Sequence, residues 1–373
     1  MLPLQKLSSQ TVSRFLLCAL LSLVVIASSL PAAAQKTVVT LLTSDIPNVP
    51  GTFTDANLGN PWGMSANPIG PWWISDNATG LSTLYNGSGS PQSLVVTIPS
   101  ANGTDVGSPT GTVFNGTSDF KIGGASQSFL FVTEDGTISG WGSGTSATIA
   151  VNNSGSSAVY KGCALGAVGG NNYLYVANFH NGTVDVFDKN YAPFSFGANA
   201  FVDSTVPAGF APFNVANVGG GHLAVTYAKQ DAAKHDDVPG IGNGYITIYD
   251  QSGNIVSRLA HVIYNNSPWA VVVAPAGFGG FGGDYLVGMF GSGVIAAYTS
   301  AGAFVGTFYN VAGVPLTVES IWGLGFGNGS GSGSKSTLYF TAGTYSESHG
   351  TFGSMVPKSG PGNGLQVQTI RQW

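Results

Sequence analysis

The stretch Tyr173-Leu-Tyr-Val-Ala-Asn178, Phe179-His-Asn-Gly182 and Thr183-Val-Asp-Val-Phe-Asp188 is the fullest copy of a unit that recurs along this chain. It combines an aromatic-rich strand, a short polar turn and an alternating strand. Because successive side chains on a strand point to opposite faces, the alternating run has two chemically different sides. The stretch therefore predicts a β-hairpin whose two faces have different environments.

Six openings of similar sequence precede such units. Their second residues are 61, 109, 161, 212, 268 and 321, which gives a repeat of 48 to 56 residues. A period near fifty with several short strands per unit is typical of a β-propeller blade, whereas a β-sandwich would not repeat six times. The openings are Asn60-Pro-Trp-Gly63, Ser108-Pro-Thr-Gly111, Tyr160-Lys-Gly-Cys163, Ala211-Pro-Phe-Asn214, Ser267-Pro-Trp-Ala270 and Ser320-Ile-Trp-Gly323.

The repeat predicts an all-β, six-bladed propeller of four-stranded antiparallel blades that start near residues 60, 108, 160, 211, 267 and 320. The composition agrees, since the chain has 55 Gly, 19 Pro and only 8% charged residues. A ring of blades must close to avoid exposed sheet edges. Either Lys36-Thr-Val-Val-Thr-Leu-Leu42 or Leu365-Gln-Val-Gln-Thr-Ile370 could complete the sixth blade by pairing across the two chain ends.

Residues 1–34 have the pattern of an export signal. Lys6 and Arg14 form a basic region, an apolar run follows, and Ala32-Ala-Ala34 offers a small-residue cleavage site. We therefore expect a mature domain of residues 35–373 in the periplasm or outside the cell. We expect no later membrane span and a monomer. The net charge of −5 and the scarcity of Lys and Arg argue against a nucleic-acid partner.

The antiparallel meander places each opening loop and each turn between strands two and three on one face, around the central channel. Ligands of propellers are expected there on grounds of fold. The repeated Trp62, Trp269 and Trp322 are interpreted as packing between blades rather than as a ligand platform. The residues expected at this face are Asn60, Trp62, Asp76, Asn77, Glu134, Asp135, Asn178, His180, Tyr227, Trp269, Glu319, Trp322, Thr344, Tyr345 and His349.

One turn on this face, residues 228–244, is long and charged in an otherwise charge-poor chain. It holds His235 together with Lys229, Asp231, Lys234, Asp236 and Asp237. Long loops on rigid frames often carry function, although a solvated flap is the plainer alternative. The predicted ligand-binding residues are Asp76, Glu134, Asn178, His180, Tyr227, Lys229 and Asp231.

Two kinds of chemistry suit this loop. Carboxylates from Asp231, Asp236 and Asp237, with Glu134 or Asn178 from neighbouring blades, would make an oxygen-rich site for Ca²⁺ or another divalent cation. Alternatively, His235 with Asp236 or Asp237 could act as a general acid/base pair, which makes these three the candidate catalytic residues. A salt-bridge network with Lys229 and Lys234 that only holds the loop is the third possibility.

Three segments together carry a family resemblance: Asn60-Pro-Trp-Gly-Met64, Trp73-Ile-Ser-Asp-Asn-Ala-Thr-Gly80 and the loop from Tyr227 to Asp237. They resemble an uncharacterised bacterial family of exported six-bladed propellers, some with a C-terminal PEP-CTERM tail. The resemblance implies fold and export. More distantly, the architecture is similar to NHL-repeat and gluconolactonase-like propellers, and the latter hold a divalent metal at the channel mouth.

The sequence thus favours a binding or scaffold module of the cell envelope or exterior, with a glycan, peptide or small molecule as its ligand. The alternative is a metal-assisted hydrolase, lactonase or lyase that uses the same face, so the sequence does not decide whether the protein is an enzyme.

Overall fold

The computed structural model describes residues 33–358. Over that range the chain forms β-strands and two short 3₁₀ turns, Ser154–Ser156 and Gly279–Phe281, and no α-helix. The strands are β1 (Ala33–Ser44), β2 (Phe53–Thr54), β3 (Pro61–Ala66), β4 (Trp72–Asp76), β5 (Leu81–Tyr85), β6 (Pro91–Thr97), β7 (Pro109–Phe114), β8 (Lys121–Ile122), β9 (Ala125–Ser126), β10 (Phe129–Thr133), β11 (Thr137–Trp141), β12 (Thr148–Asn152), β13 (Tyr160–Val168), β14 (Asn171–Asn178), β15 (Thr183–Asp188), β16 (Pro193–Phe194), β17 (Phe210–Gly219), β18 (His222–Lys229), β19 (Gly244–Asp250), β20 (Ile255–Arg258), β21 (Pro268–Val273), β22 (Tyr285–Met289), β23 (Val294–Tyr298), β24 (Phe304–Tyr309), β25 (Ile321–Phe326), β26 (Leu338–Ala342) and β27 (Thr351–Pro357).

Most of these strands form antiparallel sheets of consecutive strands. Four sheets have four strands each: the first is β3–β6, the second is β7 with β10–β12, the third is β13–β16 and the fourth is β17–β20. A larger joined sheet has the order β21-β22-β23-β24-β1-β27-β26-β25, with β2 beside β1. Each sequence repeat therefore contributes one run of adjacent strands, and the prediction of an all-β chain is confirmed.

Strand β1 produces the joined sheet because it pairs with both ends of the repeat array. Its first residues, Ala33–Lys36, run parallel to residues 306–309 of β24. Its remaining residues, Thr37–Ser44, run antiparallel to β27. The N-terminal strand therefore pairs with the last repeat, as one of the two predicted closures requires. The other candidate, residues 365–370, lies outside the described residues.

The core lies between neighbouring sheets and at their common centre. Tyr175, Phe201 and Tyr249, for example, fill the space between the third and fourth sheets. Burial of each such ring contributes roughly 1.5–3 kcal/mol. Cys163 is also buried, and burial raises the pKa of its thiol to about 12, as expected for a structural cysteine. Among residues 33–358 no helix has the length and hydrophobicity needed to cross a bilayer.

Candidate functional site

Three repeats direct a tryptophan to the centre of the molecule through the same backbone device. The first residue of each of these openings has a left-handed φ of 44° to 47°, and the strand that follows it starts with a register shift. Such bulges turn a strand and re-aim its side chains. The left-handed residues are Asn60, Ser267 and Ser320, and the tryptophans two positions later are Trp62, Trp269 and Trp322.

The three tryptophans pack against one another. Trp62 and Trp322 stack with ring centres 3.5 Å apart. Trp269 meets both edge-on, at 6.2 Å from Trp62 and 5.8 Å from Trp322. The structure therefore agrees with their interpretation as packing residues rather than as a ligand platform. They belong to one hydrophobic core cluster, and the site described below lies against them.

Lys161 lies against this aromatic group and contacts two of the carboxylates described below. Its side chain is 1% exposed, and its ammonium pairs with Glu134 and lies 3.4 Å from Asp236. The ammonium is also 5.1 Å from the ring centre of Trp62 and 5.8 Å from that of Phe179, within cation–π range. These contacts offset the cost of burying the ammonium.

Lys161 is not among the site residues predicted from the sequence, although a signal was present. Lys161 occupies the second position of its opening, where the other five repeats have Pro or Ile. A lone charge at a repeat position that is otherwise apolar cannot be serving the packing common to all the blades. A comparison of the repeats by position, rather than of their loops alone, would have found it.

Glu134 of the second sheet contacts the first sheet through Asn77 and the third sheet through Lys161. Its Oε2 accepts a hydrogen bond from Asn77 Nδ2 at 2.8 Å, while its Oε1 contacts Lys161. Asn77 follows β4 in the first sheet and Glu134 follows β10 in the second. The structure therefore brings these two predicted rim residues together, and Lys161 adds the third sheet.

The charged loop reaches this lysine through Asp236. Asp231 Oδ1 accepts the backbone N–H groups of His235 at 2.9 Å and Asp236 at 3.4 Å, which folds the loop tip. His235 Nδ1 is 3.0 Å from Asp236 Oδ1. Burial opposes the ionisation of Asp236, but Lys161 and His235 lower its pKa overall. Asp231 thus shapes the loop, and Asp236 makes its contact with the centre.

Glu134, His235 and Asp236 have the mutual spacing of metal ligands, since one donor atom from each lies within 4.8 Å of the others. Two of them, Glu134 and Asp236, were predicted as ligands. However, the Lys161 ammonium already contacts both carboxylates. A divalent cation at the same position would be repelled by this ammonium at short range, so the donor set fits a metal only where Lys161 moves away.

Two further carboxyl groups face this region. Asp237 Oδ2 is buried and has no hydrogen-bond partner within the described residues. Burial raises the pKa of Asp237 to about 6, although the nearby Ser267 hydroxyl and Lys161 ammonium act in the opposite direction. Burial also raises the pKa of Glu347, and the charges of Asp237 and Glu134 add to the shift. Asp237 can therefore hold a proton at mildly acidic pH, and the surroundings of Glu347 also favour its protonated form.

Glu347 was not identified from the sequence. Its Oε1 accepts a hydrogen bond from Asn60 Nδ2 at 3.1 Å, and Asn60 Oδ1 in turn accepts Trp322 Nε1 at 3.2 Å. It lies between the predicted Tyr345 and His349, in a turn where it is the only acidic residue. We call Glu134, Lys161, Asp236, Asp237 and Glu347 the hub cluster.

Three other predicted site residues are bonded within their own sheets. Buried Asp76 accepts Thr83 Oγ1 at 2.7 Å, and burial raises the pKa of Asp76 well above its usual value. Asn178 Nδ2 donates to Asp185 Oδ2 at 2.8 Å. The Tyr227 hydroxyl is 2.7 Å from that of Tyr249.

The last two ligand candidates lie around the charged loop. Lys229 is exposed, and its carbonyl accepts the Val238 N–H at 2.8 Å. The carbonyl of half-buried His180 accepts a bond from Gln230 at 3.4 Å. Their binding roles stay predictions.

Comparison with known proteins extends these findings, although no family model matches the chain. The uncharacterized protein L690 of Acanthamoeba polyphaga mimivirus is 31% identical over 326 residues, which cover 83% of each chain. The uncharacterized protein R648 of the same virus is 29% identical over 319 residues, covering 81% of this chain and 76% of R648.

Two solved structures are similar in fold at low sequence identity. Streptogramin B lyase has a TM-score of 0.51 at 11% identity, covering 86% of this chain and 98% of the lyase. A protein of unknown function from Bacteroides thetaiotaomicron has a TM-score of 0.54 at 12% identity, covering 87% of this chain and 76% of the other. At such identities the likeness supports a propeller-type fold and nothing about activity. The chain belongs to the same family as mimivirus protein L690, and its fold is of the propeller type.

Proposed function

We propose that this protein is a six-bladed β-propeller that binds a small polar ligand at the hub cluster. Four separate sheets support four of the blades. In the joined sheet, β21–β24 would form the fifth blade, and β25–β27 with residues 37–44 of β1 the sixth. This division matches the six sequence repeats.

The observation that carries the proposal is the unpartnered Oδ2 of Asp237. An unpaired buried carboxylate oxygen costs free energy, and a ligand that donates a hydrogen bond to it recovers that cost. The cluster has four carboxyl groups and one ammonium, which contacts only Glu134 and Asp236, so the site is rich in acceptors. A ligand with hydroxyl or amine donors complements it best, and the terminal sugar of a glycan is one such group.

A thermal-denaturation screen tests this binding site. The wild type and the double variant Asp237→Asn/Glu347→Gln are heated at pH 7 with neutral sugars, amino-acid amides or polyamines. A ligand at about 100 times its Kd stabilises by about 2.7 kcal/mol, a shift of several degrees in Tm. We expect at least one class to shift only the wild type, whereas Asp105→Asn, an exposed carboxylate in another turn, behaves as the wild type. Equal responses in all three proteins would remove the proposal.

The alternative function is metal-assisted hydrolysis or elimination at Glu134, His235 and Asp236, within and beside the hub cluster. It is favoured by the spacing of Glu134, His235 and Asp236. Streptogramin B lyase shows that enzymes occur among proteins of similar fold. A bound Ca²⁺ or Zn²⁺ would supply a Lewis acid and an activated water, and these three side chains would hold it.

Metal analysis separates the two functions. We expect purified protein to contain no stoichiometric metal, and neither added Ca²⁺ or Zn²⁺ nor EDTA to change its Tm. About one equivalent of metal that disappears in His235→Ala would favour the enzyme instead.

We further propose that the protein is exported to the periplasm or the cell exterior and acts there as a monomer. The signal-like residues 1–34 support export. Gln35, the first residue after the proposed cleavage, accepts the Gly280 N–H at 2.7 Å, which would anchor the new terminus. N-terminal sequencing of the protein from its native source should read from Gln35, and size-exclusion chromatography should give a monomer. An N-terminus at Met1 would contradict export by this signal.

A further inference from the structure

A cleft of about 800 Å³ opens between the two halves of the joined sheet, separate from the side chains of the hub cluster. This volume is within the usual range for small-molecule sites. We propose that the cleft binds an amphipathic small molecule with an apolar body and a protonated amine. The proposal goes beyond the function of the hub cluster, and its test uses different residues.

The cleft is a defined space because hydrogen bonds fix its walls. Val318 N–H donates to the Gly293 carbonyl at 2.8 Å, and Thr317 pairs with Val294 in an isolated bridge. Gly293 has φ +71°, and a Cβ there would lie 2.5 Å from the Val318 carbonyl oxygen. Glycine is thus required for this close approach. The opening is consequently held by backbone rather than by long movable side chains.

Apolar side chains line the interior of the cleft. Leu41, Val318 and Phe340 line it, and Phe290 adds an aromatic wall. Phe290 stacks on Trp322 with ring centres 3.9 Å apart, so the wall is the outer end of the central aromatic group. An apolar or aromatic ligand body would gain burial against these side chains.

The negative charge of Glu319, at the edge of the cleft, determines which head group of a ligand is favoured. Among the described residues that line the cleft, Glu319 is the only charged one. It is exposed, and its Oε1 accepts the Ser346 N–H at 2.9 Å. The other polar lining residues are Ser, Thr and Tyr, which hydrogen-bond without a counter-charge. A cationic head is therefore favoured and an anionic head disfavoured.

Two probes that differ only in the sign of the head group test this inference. 4-Phenylbutylamine and 5-phenylvalerate have the same ring and the same four methylene groups, and binding of each is followed by calorimetry and by tryptophan fluorescence, which the contact of Trp322 with Phe290 makes sensitive. We expect saturable binding with the amine about fivefold tighter, as an exposed charge pair allows. Glu319→Gln should make the two probes nearly equal, and Glu319→Lys should reverse their order.

Thr317→Trp should fill the cleft and abolish binding of both probes. Asp105→Asn, which removes an exposed charge elsewhere, should change nothing, whereas loss of amine binding in Asp237→Asn would assign the probe to the hub cluster and overturn the inference. Equal affinity for amine and acid in the wild type, no binding of either probe, or unchanged binding in Thr317→Trp would each overturn the inference. If Thr317→Trp does not fold, the order of affinities in Glu319→Lys still decides.

Discussion

Buried Asp203 and half-buried Asp237 are two aspartates whose surroundings have opposite effects on the pKa. The Asp203 carboxylate accepts two bonds from Arg258, at 2.7 and 2.9 Å, and one from Thr247 at 2.7 Å. Burial opposes its ionisation, but Arg258 and Thr205 hold the pKa of Asp203 well below its usual range. Asp237 has a buried oxygen without a partner in the described structure, and burial raises its pKa to about 6.

The difference separates a carboxylate used for folding from one available for binding. All the acceptor capacity of Asp203 is directed at its own sheet and its neighbours, so it stabilises the fold as long as it is ionised. Asp237 gains nothing comparable from the protein and lies beside Lys161, Asp236 and Glu347. A ligand can supply what Asp237 lacks, and the following experiments test that distinction.

The largest effect is expected from removing the cation of the hub cluster. Lys161→Ala leaves Glu134 buried without a counter-charge, which should lower the free energy of unfolding by about 3–5 kcal/mol. Because Glu134, His235 and Asp236 then have metal-like spacing without a competing ammonium, Zn²⁺ should restore part of the stability. Urea denaturation with and without Zn²⁺ measures both effects.

The matching control is Lys229→Ala, which removes an exposed lysine from the charged loop and should change the free energy of unfolding little. Stabilisation of the wild type by Zn²⁺, lost in His235→Ala, would show that Lys161 does not exclude the metal.

The second effect concerns Asp203, whose two carboxylate oxygens both accept hydrogen bonds. Asp203→Asn removes the charge that Arg258 and the threonine hydroxyls stabilise, and should cost about 3 kcal/mol at pH 7. A depressed pKa contributes its full stability above the unfolded value near 4 and loses it as the pH falls towards the folded pKa, so the difference from wild type should shrink below pH 4. Denaturant unfolding at pH 7 and pH 3 provides the measurement. A constant difference at both pH values would mean that the ionised state of Asp203 is not what stabilises the fold.

The third effect has the opposite sign and belongs to Asp237. Its folded pKa of about 6 exceeds its ordinary value of 3.8, so the folded state binds the proton more tightly between these values. The contribution of Asp237 to stability should therefore be complete below about pH 4 and fall by about 2 kcal/mol as the pH rises through 6. Asp237→Asn should remove much of this slope, and Asp203→Asn should retain it. Unfolding curves at pH 4, 5, 6 and 7 test the claim, and a slope unchanged in Asp237→Asn would contradict it.

The sequence contained most of the fold but only part of the site. Strand identity and period follow from local patterns, so β14 and β15 could be predicted from residues 173–188 and the packing of the tryptophans from their repetition. The pairing of β1 with β27 joins segments more than 300 residues apart, and no local pattern in β1 encodes it. The role of Lys161 depends on Glu134 and Asp236, which are distant in sequence.

The smallest effect is expected at Asp236, which shares Lys161 with Glu134. The Asp236 side chain is 67% exposed, whereas that of Glu134 is 12% exposed. Solvent screens the first pair, so Asp236→Asn should cost less than about 1 kcal/mol. Glu134→Gln weakens the charge-assisted bond to a buried ammonium and should cost about 2–4 kcal/mol. Urea denaturation of both variants at pH 7 and two salt concentrations gives the ranking, and only the Asp236 effect should fade with added salt. Equal costs for the two variants would contradict this ranking, because Asp236 of the charged loop would then hold the lysine as firmly as Glu134 of the second sheet.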